Sequence, residues 1–185
     1  MKCDLFKKER NGNMTVTGNL VGEVMKEIRG VETQLRFGFD FGVGREAISK
    51  YENGRSKVPA DISKSIVEKF DDPKFALAVQ HQYTGTGPIW LNGPNVDLHR
   101  CSVREKTIEE LQEALDSITS TSLAKPSDAI EHFERKNIMD MIEEAVEAAT
   151  ALANFIAVTT EHLGISYTGV WMEHYKYLQK AGFIK

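Results

Sequence analysis

The sequence predicts an all-α fold, and three observations carry that prediction. Between residues 17 and 82, apolar residues recur at intervals of three and four, and each run is closed by a glycine or opened by a proline. Over residues 105–118, Ile108, Leu111, Leu115 and Ile118 step by three, four and three. Between Ser127 and Gly164 the chain has no glycine or proline, and Ile138, Ile142, Ala145, Ala149, Leu152 and Ile156 keep a four-three repeat.

The elements follow in order. Residues 1–16 carry Lys2, Lys7, Lys8 and Arg10 without apolar periodicity. They read as a flexible basic arm that contacts phosphates or a minor groove, or as a plain disordered tail. Thr17 or Asn19 caps a first helix to about residue 29, with Leu20, Val24 and Ile28 on one stripe and Gly30 as its stop. Thr33 caps a second helix over 34–41, whose bulk is Leu35, Phe37, Phe39 and Phe41. Gly38 lies within it, where two helices must approach closely. A third helix spans about 45–52. Pro59 opens a fourth to about residue 70, with Ile62, Ile66, Val67 and Phe70 inward. Asp72 and Pro73, a cap followed by a proline at the first helical position, open a fifth to about residue 82.

Residues 83–104 contain Gly85, Gly87, Pro88, Gly93 and Pro94, which forbid a continuous helix. Ile89, Trp90, Leu91, Val96 and Leu98 are too apolar for a solvated connection. The segment is expected to lie over a helix surface of its own chain or of a second subunit. The amphipathic helix over 105–118 follows, then a Ser/Thr-rich turn over 119–127. Ser127 caps the long helix, in which Ile138, Ile142, Ala145, Ala149, Leu152 and Ile156 form a seam whose alanines allow close approach of another helix. A helix of that length is expected to pack on a copy of itself or on neighbours in a bundle. A last helix over 168–181 carries Val170, Trp171, Tyr175 and Leu178, read as core, and ends at Gly182.

Charge and composition restrict the function classes. The net charge is −4, but residues 1–70 hold 13 Lys and Arg against 10 Asp and Glu, and the remainder holds 10 against 17. A basic head on an acidic body suits binding of nucleic acid at one end only. No apolar run approaches the length of a membrane span, and no apolar stretch follows the N-terminal basic residues as an export signal requires. A cytoplasmic protein is therefore expected. Cys3 and Cys101 are far apart and are read as reduced thiols. His99 and Cys101 lack two further nearby ligands, so no metal is expected there.

The stretch Gly42–Gly54, Gly-Val-Gly-Arg-Glu-Ala-Ile-Ser-Lys-Tyr-Glu-Asn-Gly, organises the rest. Arg45, Glu46, Ser49 and Lys50 share one face of its helix, and Ala47, Ile48 and Tyr51 the other. One apolar side and one side of base-capable side chains is what reading a major groove requires. Taken with the preceding helix, Thr33–Gly54 resembles the helix-turn-helix of the Cro/lambda-repressor-like (XRE) transcriptional regulators, and Ile-Ser-Lys-Tyr-Glu-Asn-Gly-Arg is the most specific part of the likeness. The resemblance covers about residues 17–70. It implies a five-helix domain that binds double-stranded DNA, with bases read from Arg45, Glu46, Ser49 and Lys50. It implies phosphate contacts from Gln34, Asn53, Arg55 and Lys57. The chain departs from the family in having Phe37-Gly38-Phe39-Asp40-Phe41 for the usual Leu-Ala-x-x-Leu, and Gly44 where Ser or Thr normally caps the third helix.

The organisation expected is therefore an arm over 1–16, a DNA-binding domain over 17–82, a linker over 83–104, and a helical region over 105–185 for oligomerisation or partner binding. The function expected is that of a sequence-specific regulator, a repressor of phage or mobile-element type, in a bacterial or phage-infected cell at the nucleoid. It acts as a homodimer or higher homo-oligomer, since one helix covers only a few base pairs. The alternative is a regulator acting through protein contacts of its C-terminal helices, as antirepressors and antitoxins do. No cofactor, metal or catalytic residue is expected. Glu143-Glu144-x-x-Glu147 resembles the first metal motif of all-α MazG-like nucleotide pyrophosphatases. The second acidic pair that motif needs on the following helix is missing, because Lys176 stands three residues after Glu173. The motif therefore reads as a solvated face.

Overall fold

The computed structural model describes residues 19–185, and the basic arm and a cap at Thr17 lie outside the described residues. Those residues form eight α-helices and no strand: α1 (Leu20–Arg29), α2 (Gln34–Asp40), α3 (Arg45–Glu52), α4 (Ala60–Phe70), α5 (Pro73–Thr84), α6 (Arg100–Ser120), α7 (His132–Leu163) and α8 (Tyr167–Lys180).

The first five helices close around Met25, Phe37, Ile48, Ile66 and Phe75, all fully buried. Local chemistry sets their ends. The Thr33 hydroxyl accepts from the Arg36 amide at 3.3 Å at the start of α2. The Asp72 carboxylate accepts from the Phe75 amide at 2.8 Å at the start of α5. Gly42, at φ +66°, takes the left-handed turn that separates α2 from α3. At Gly38 a Cβ would lie 2.4 Å from the Val43 carbonyl oxygen, so the missing side chain lets the turn fold back on α2.

In α2 only half of the expected bulk faces inward. Phe37 stacks on Phe70 at a centroid distance of 5.9 Å, and Phe41 lies tilted against Phe37 at 5.1 Å. Leu35 and Phe39, expected with them, are 64% and 83% exposed. Residues four apart share a helix face, so the pair 37 and 41 turns in and the pair 35 and 39 turns out.

The Gly/Pro-rich segment after α5 is a strap rather than a free connection. Trp90 is buried, with the Lys74 ammonium 5.4 Å from its ring centre. The Asn154 side chain of α7 accepts from the Leu91 amide at 3.0 Å and donates to the Ile89 carbonyl at 2.9 Å. Trp90, Val103, Ala157 and Val158 join the same apolar cluster as Phe75, Leu77 and Ala78. α6 begins at Arg100, earlier than the periodicity places it, because His99 Nδ1 accepts from the Cys101 amide and caps it.

α7 begins at His132, later than expected: a capping box of Glu131 and Glu134 starts it, not Ser127. At 32 residues it is about 48 Å long. α6 and α7 pack as an antiparallel hairpin, in which Thr107 Oγ1 reaches the Ala151 carbonyl at 3.3 Å. The contact is made by Val103, Thr107, Glu110 and Ala114 against Met141 and Ala148, all buried. α8 departs from the expected core helix. Tyr167 is buried, but Val170 and Tyr175 are 43% and 46% exposed. The helix is tied back at its start, where the Thr168 amide donates to Asp71 Oδ1 at 2.7 Å.

Candidate functional site

The face of α3 is built from its inner side. Ile48 and Tyr51 are buried and Ala47 is half-buried, which fixes the rotation of the helix in the core. At 100° per residue, Arg45, Glu46, Ser49 and Lys50 then fall within an arc of about 140° on the opposite side. Arg45, Glu46 and Lys50 are exposed and Ser49 is half-buried. Asn53 closes the same face. Its side-chain amide donates to the Ser49 carbonyl at 2.7 Å, finishing the last turn of the helix. Arg55 and Lys57 are exposed in the loop that follows, and the Lys57 ammonium donates to the Gln82 carbonyl at 3.3 Å. Among the described residues, neither Arg45, Lys50 nor Arg55 is in an ion pair.

A polar clamp at the edge of this face holds α3 against α1 and α2. Glu52 at the end of α3 is buried, and its side chain is 3% exposed. Arg29 Nε donates to Glu52 Oε1 at 2.5 Å, a second guanidinium nitrogen donates to Oε2 at 3.2 Å, and Gln34 Nε2 donates to Oε2 at 2.7 Å. Burial alone would raise the Glu52 carboxyl, but the hydrogen bonds from Arg29 and Gln34 outweigh it and hold it below the usual carboxylate range. From the other side, Asn19 Nδ2 donates to the Glu52 carbonyl at 2.6 Å. Gln34, expected on phosphate, thus has its amide engaged by Glu52, at the edge of the α3 face.

The expected seam residues of α7 do not face α6. Ile142, Ala149 and Leu152 are exposed, and Ile138, Ala145 and Ile156 are half-buried. They lie beside the hairpin contact, not in it. The acidic residues of α7 take the other side. Glu144 is held above the usual carboxylate range by partial desolvation and by the nearby Glu147, Glu113, Glu110 and Asp140. Two of these acidic neighbours, Asp140 and Glu147, are on α7 itself, and two, Glu110 and Glu113, are on the preceding helix α6; none is on the following helix. Glu110 is buried, with Oε1 paired to Lys106 at 2.8 Å and Oε2 without a hydrogen-bond partner. Among the described residues, no three His, Cys, Asp or Glu side chains are grouped so as to hold a metal ion. No described helix is long and apolar enough to cross a membrane.

Sequence reasoning missed the Arg29–Glu52–Gln34 clamp and the Asn154 strap contact. Asn154 had a visible signal: it is the one amide in the otherwise apolar run Ala151–Val158. Glu52 had none, since a glutamate near a helix end usually faces water.

No family model matches the chain. No curated protein and no solved structure matches it either.

Proposed function

We propose that the protein binds double-stranded DNA sequence-specifically through α3 and regulates transcription, as the resemblance of Thr33–Gly54 to XRE-type repressors implies. The observation that supports this reading most is the presentation of Arg45 and Lys50. Both are exposed and outside any ion pair among the described residues, on a helix whose opposite side is locked into the core. Arg45 is the first residue of α3, where the helix dipole disfavours a cation, so helix stability does not account for it. A guanidinium at the end of a helix that can enter a major groove suits the O6 and N7 of guanine. Arg55, Lys57 and Asn53 lie where phosphates would flank the helix.

Two copies are needed for affinity, because one such helix reads only a few base pairs. Ile138, Ile142, Ala145, Ala149, Leu152 and Ile156 supply the surface for pairing. Repression in a bacterial or phage-infected cell is the use we propose. A regulator that acts by gripping another protein is the second reading, favoured by the apolar residues left open on α6 and α7.

Fluorescence anisotropy on a bound duplex tests the assignment. Log affinity should fall linearly with log salt. Arg45→Ala should cost about 1 to 3 kcal/mol and relax preference at one base position. Gln34→Ala should weaken all sequences alike. Unchanged affinity and preference in Arg45→Ala and Lys50→Ala would remove α3 from the groove.

A further inference from the structure

The hairpin of α6 and α7 has two unlike sides. At 100° per residue, Ile108, Leu111, Leu115 and Ile118 occupy an arc about 90° round α6 from its contact residues Val103, Thr107, Glu110 and Ala114. On α7, Ile138, Ile142, Ala145, Ala149, Leu152 and Ile156 occupy an arc about 70° from Met141 and Ala148, in the same rotational sense. The helices run antiparallel, as Thr107 facing Ala151 and Ser117 sharing a cleft with Asp140 require. Equal rotation on antiparallel helices brings both stripes out on the same side. The opposite side carries Glu109, Glu113, Asp140, Glu144 and Glu147.

The apolar side is open. Ile108, Leu111, Leu115 and Ile118 are 48%, 40%, 54% and 50% exposed, and Ile142 and Leu152 are 52% and 37% exposed. Between residues 108 and 118 of α6 and 138 and 156 of α7 no charged residue falls in either arc; Arg104 stands in line one turn before Ile108. The stripes run for about 15 Å along α6 and 27 Å along α7, on helices about 10 Å wide, a footprint of about 400 Å². Contiguous apolar patches of that size mark interaction surfaces. Two such faces give about 800 Å² of flat contact. That lies below the about 1,200 Å² of standard stable interfaces and in the range of weak, concentration-dependent pairs.

We infer that two copies of the chain stack these apolar sides about a two-fold axis, so that both hairpins form one four-helix bundle in which α6 shares the contact with α7. A second copy fits because the face is self-complementary: it is uncharged and presents the same stripes to its twin. The acidic sides repel one another and point outward. This rests on the two-copy reading above and changes its geometry, from a seam of α7 alone to a two-layer bundle. Small buried residues in the first layer, Thr107 and Ala114 on α6 and Ala148 on α7, bring the helices close and leave the larger Leu and Ile for the second.

Sedimentation velocity on the full chain decides it, with circular dichroism as the check on folding. The parent should be a dimer. Leu111→Glu with Leu115→Glu should sediment as a monomer with unchanged helix content, since both side chains are half-exposed. The milder pair Leu111→Ala with Leu115→Ala should weaken the dimer at least tenfold, and it reads the same face if the glutamates disturb the fold. Glu113→Gln, on the opposite side, should not weaken the dimer. A dimer that survives both α6 pairs but is broken by Ile142→Asp with Leu152→Asp overturns the four-helix arrangement and leaves the two-copy reading standing. A parent that stays monomeric at every concentration overturns both, and assigns the face to a different protein.

Discussion

Arg29 grips Glu52 with two guanidinium nitrogens, Nε at 2.5 Å and a second at 3.2 Å, and thereby joins the last turn of α1 to the last turn of α3. The pair ties the end of α3 to α1, beside the buried Ile48 and Tyr51 that fix the rotation of the helix. Arg29 is also held by the Glu32 carbonyl, and Glu52 by Gln34, so the clamp spans three helices.

Glu52→Ala leaves a guanidinium that is 13% exposed without its carboxylate partner, and should cost about 3 kcal/mol or more in urea unfolding. The pH dependence has a definite sign. The carboxyl is held below its unfolded value near 4.3, so its stabilisation is fully present above about pH 5 and is lost as pH falls through the folded value. Glu52→Gln should therefore be less stable than the parent at pH 7, and the two should converge in acid. A constant gap from pH 7 to pH 3 would show that the charge of Glu52 is not what stabilises the clamp.

Gly38→Ala tests the turn. Alanine gains up to about 1 kcal/mol of helix propensity over glycine. Its Cβ would meet the Val43 carbonyl oxygen at 2.4 Å and Ile48 Cγ1 at 3.1 Å, and a backbone atom cannot move aside alone. Overpacking of this kind costs about 1 to 3 kcal/mol. The variant should unfold at lower denaturant; a higher midpoint would contradict the close approach of the turn and α2.

Asn154→Ala should free the strap. It removes partners from the Leu91 amide and the Ile89 carbonyl at a buried site and should cost about 2 to 3 kcal/mol. The Leu91 amide should exchange faster by hydrogen-exchange mass spectrometry. Thr150→Ala, whose hydroxyl makes an exposed local bond to the Val146 carbonyl, should change stability by less than about 0.5 kcal/mol. Equal exchange at Leu91 in the two variants would remove Asn154 from the role of clamp.

The helices themselves were legible because glycine, proline and capping residues punctuate them: Thr33, Asp72, Pro73 and Gly164 end or begin elements where the sequence places them. The apolar periods of α6 and α7 were legible too, but their meaning was not. Period identifies an amphipathic stripe, and it does not say which neighbour covers it. Here the nearest neighbour meets Ala114, Thr107 and Ala148, small residues that a hydrophobic pattern passes over, and the Leu and Ile stripes stay open. The same limit hid the strap. Gly85 to Pro94 reads as a break in helix, whereas the contacts of Trp90 and Leu91 depend on α7, more than 60 residues away. On α3, inward and outward residues were separable because a short helix with one buried side leaves a single rotation.

We propose that α3 reads bases with Arg45 as two copies on one duplex. Selection of bound DNA from a random pool by the full chain tests it most directly. The expected result is enrichment of an inverted repeat whose half-site centres lie about 34 Å apart, with preference at one base pair of each half-site relaxed in Arg45→Ala. Failure to enrich any sequence, or an identical enriched site in the parent and Arg45→Ala, would contradict it.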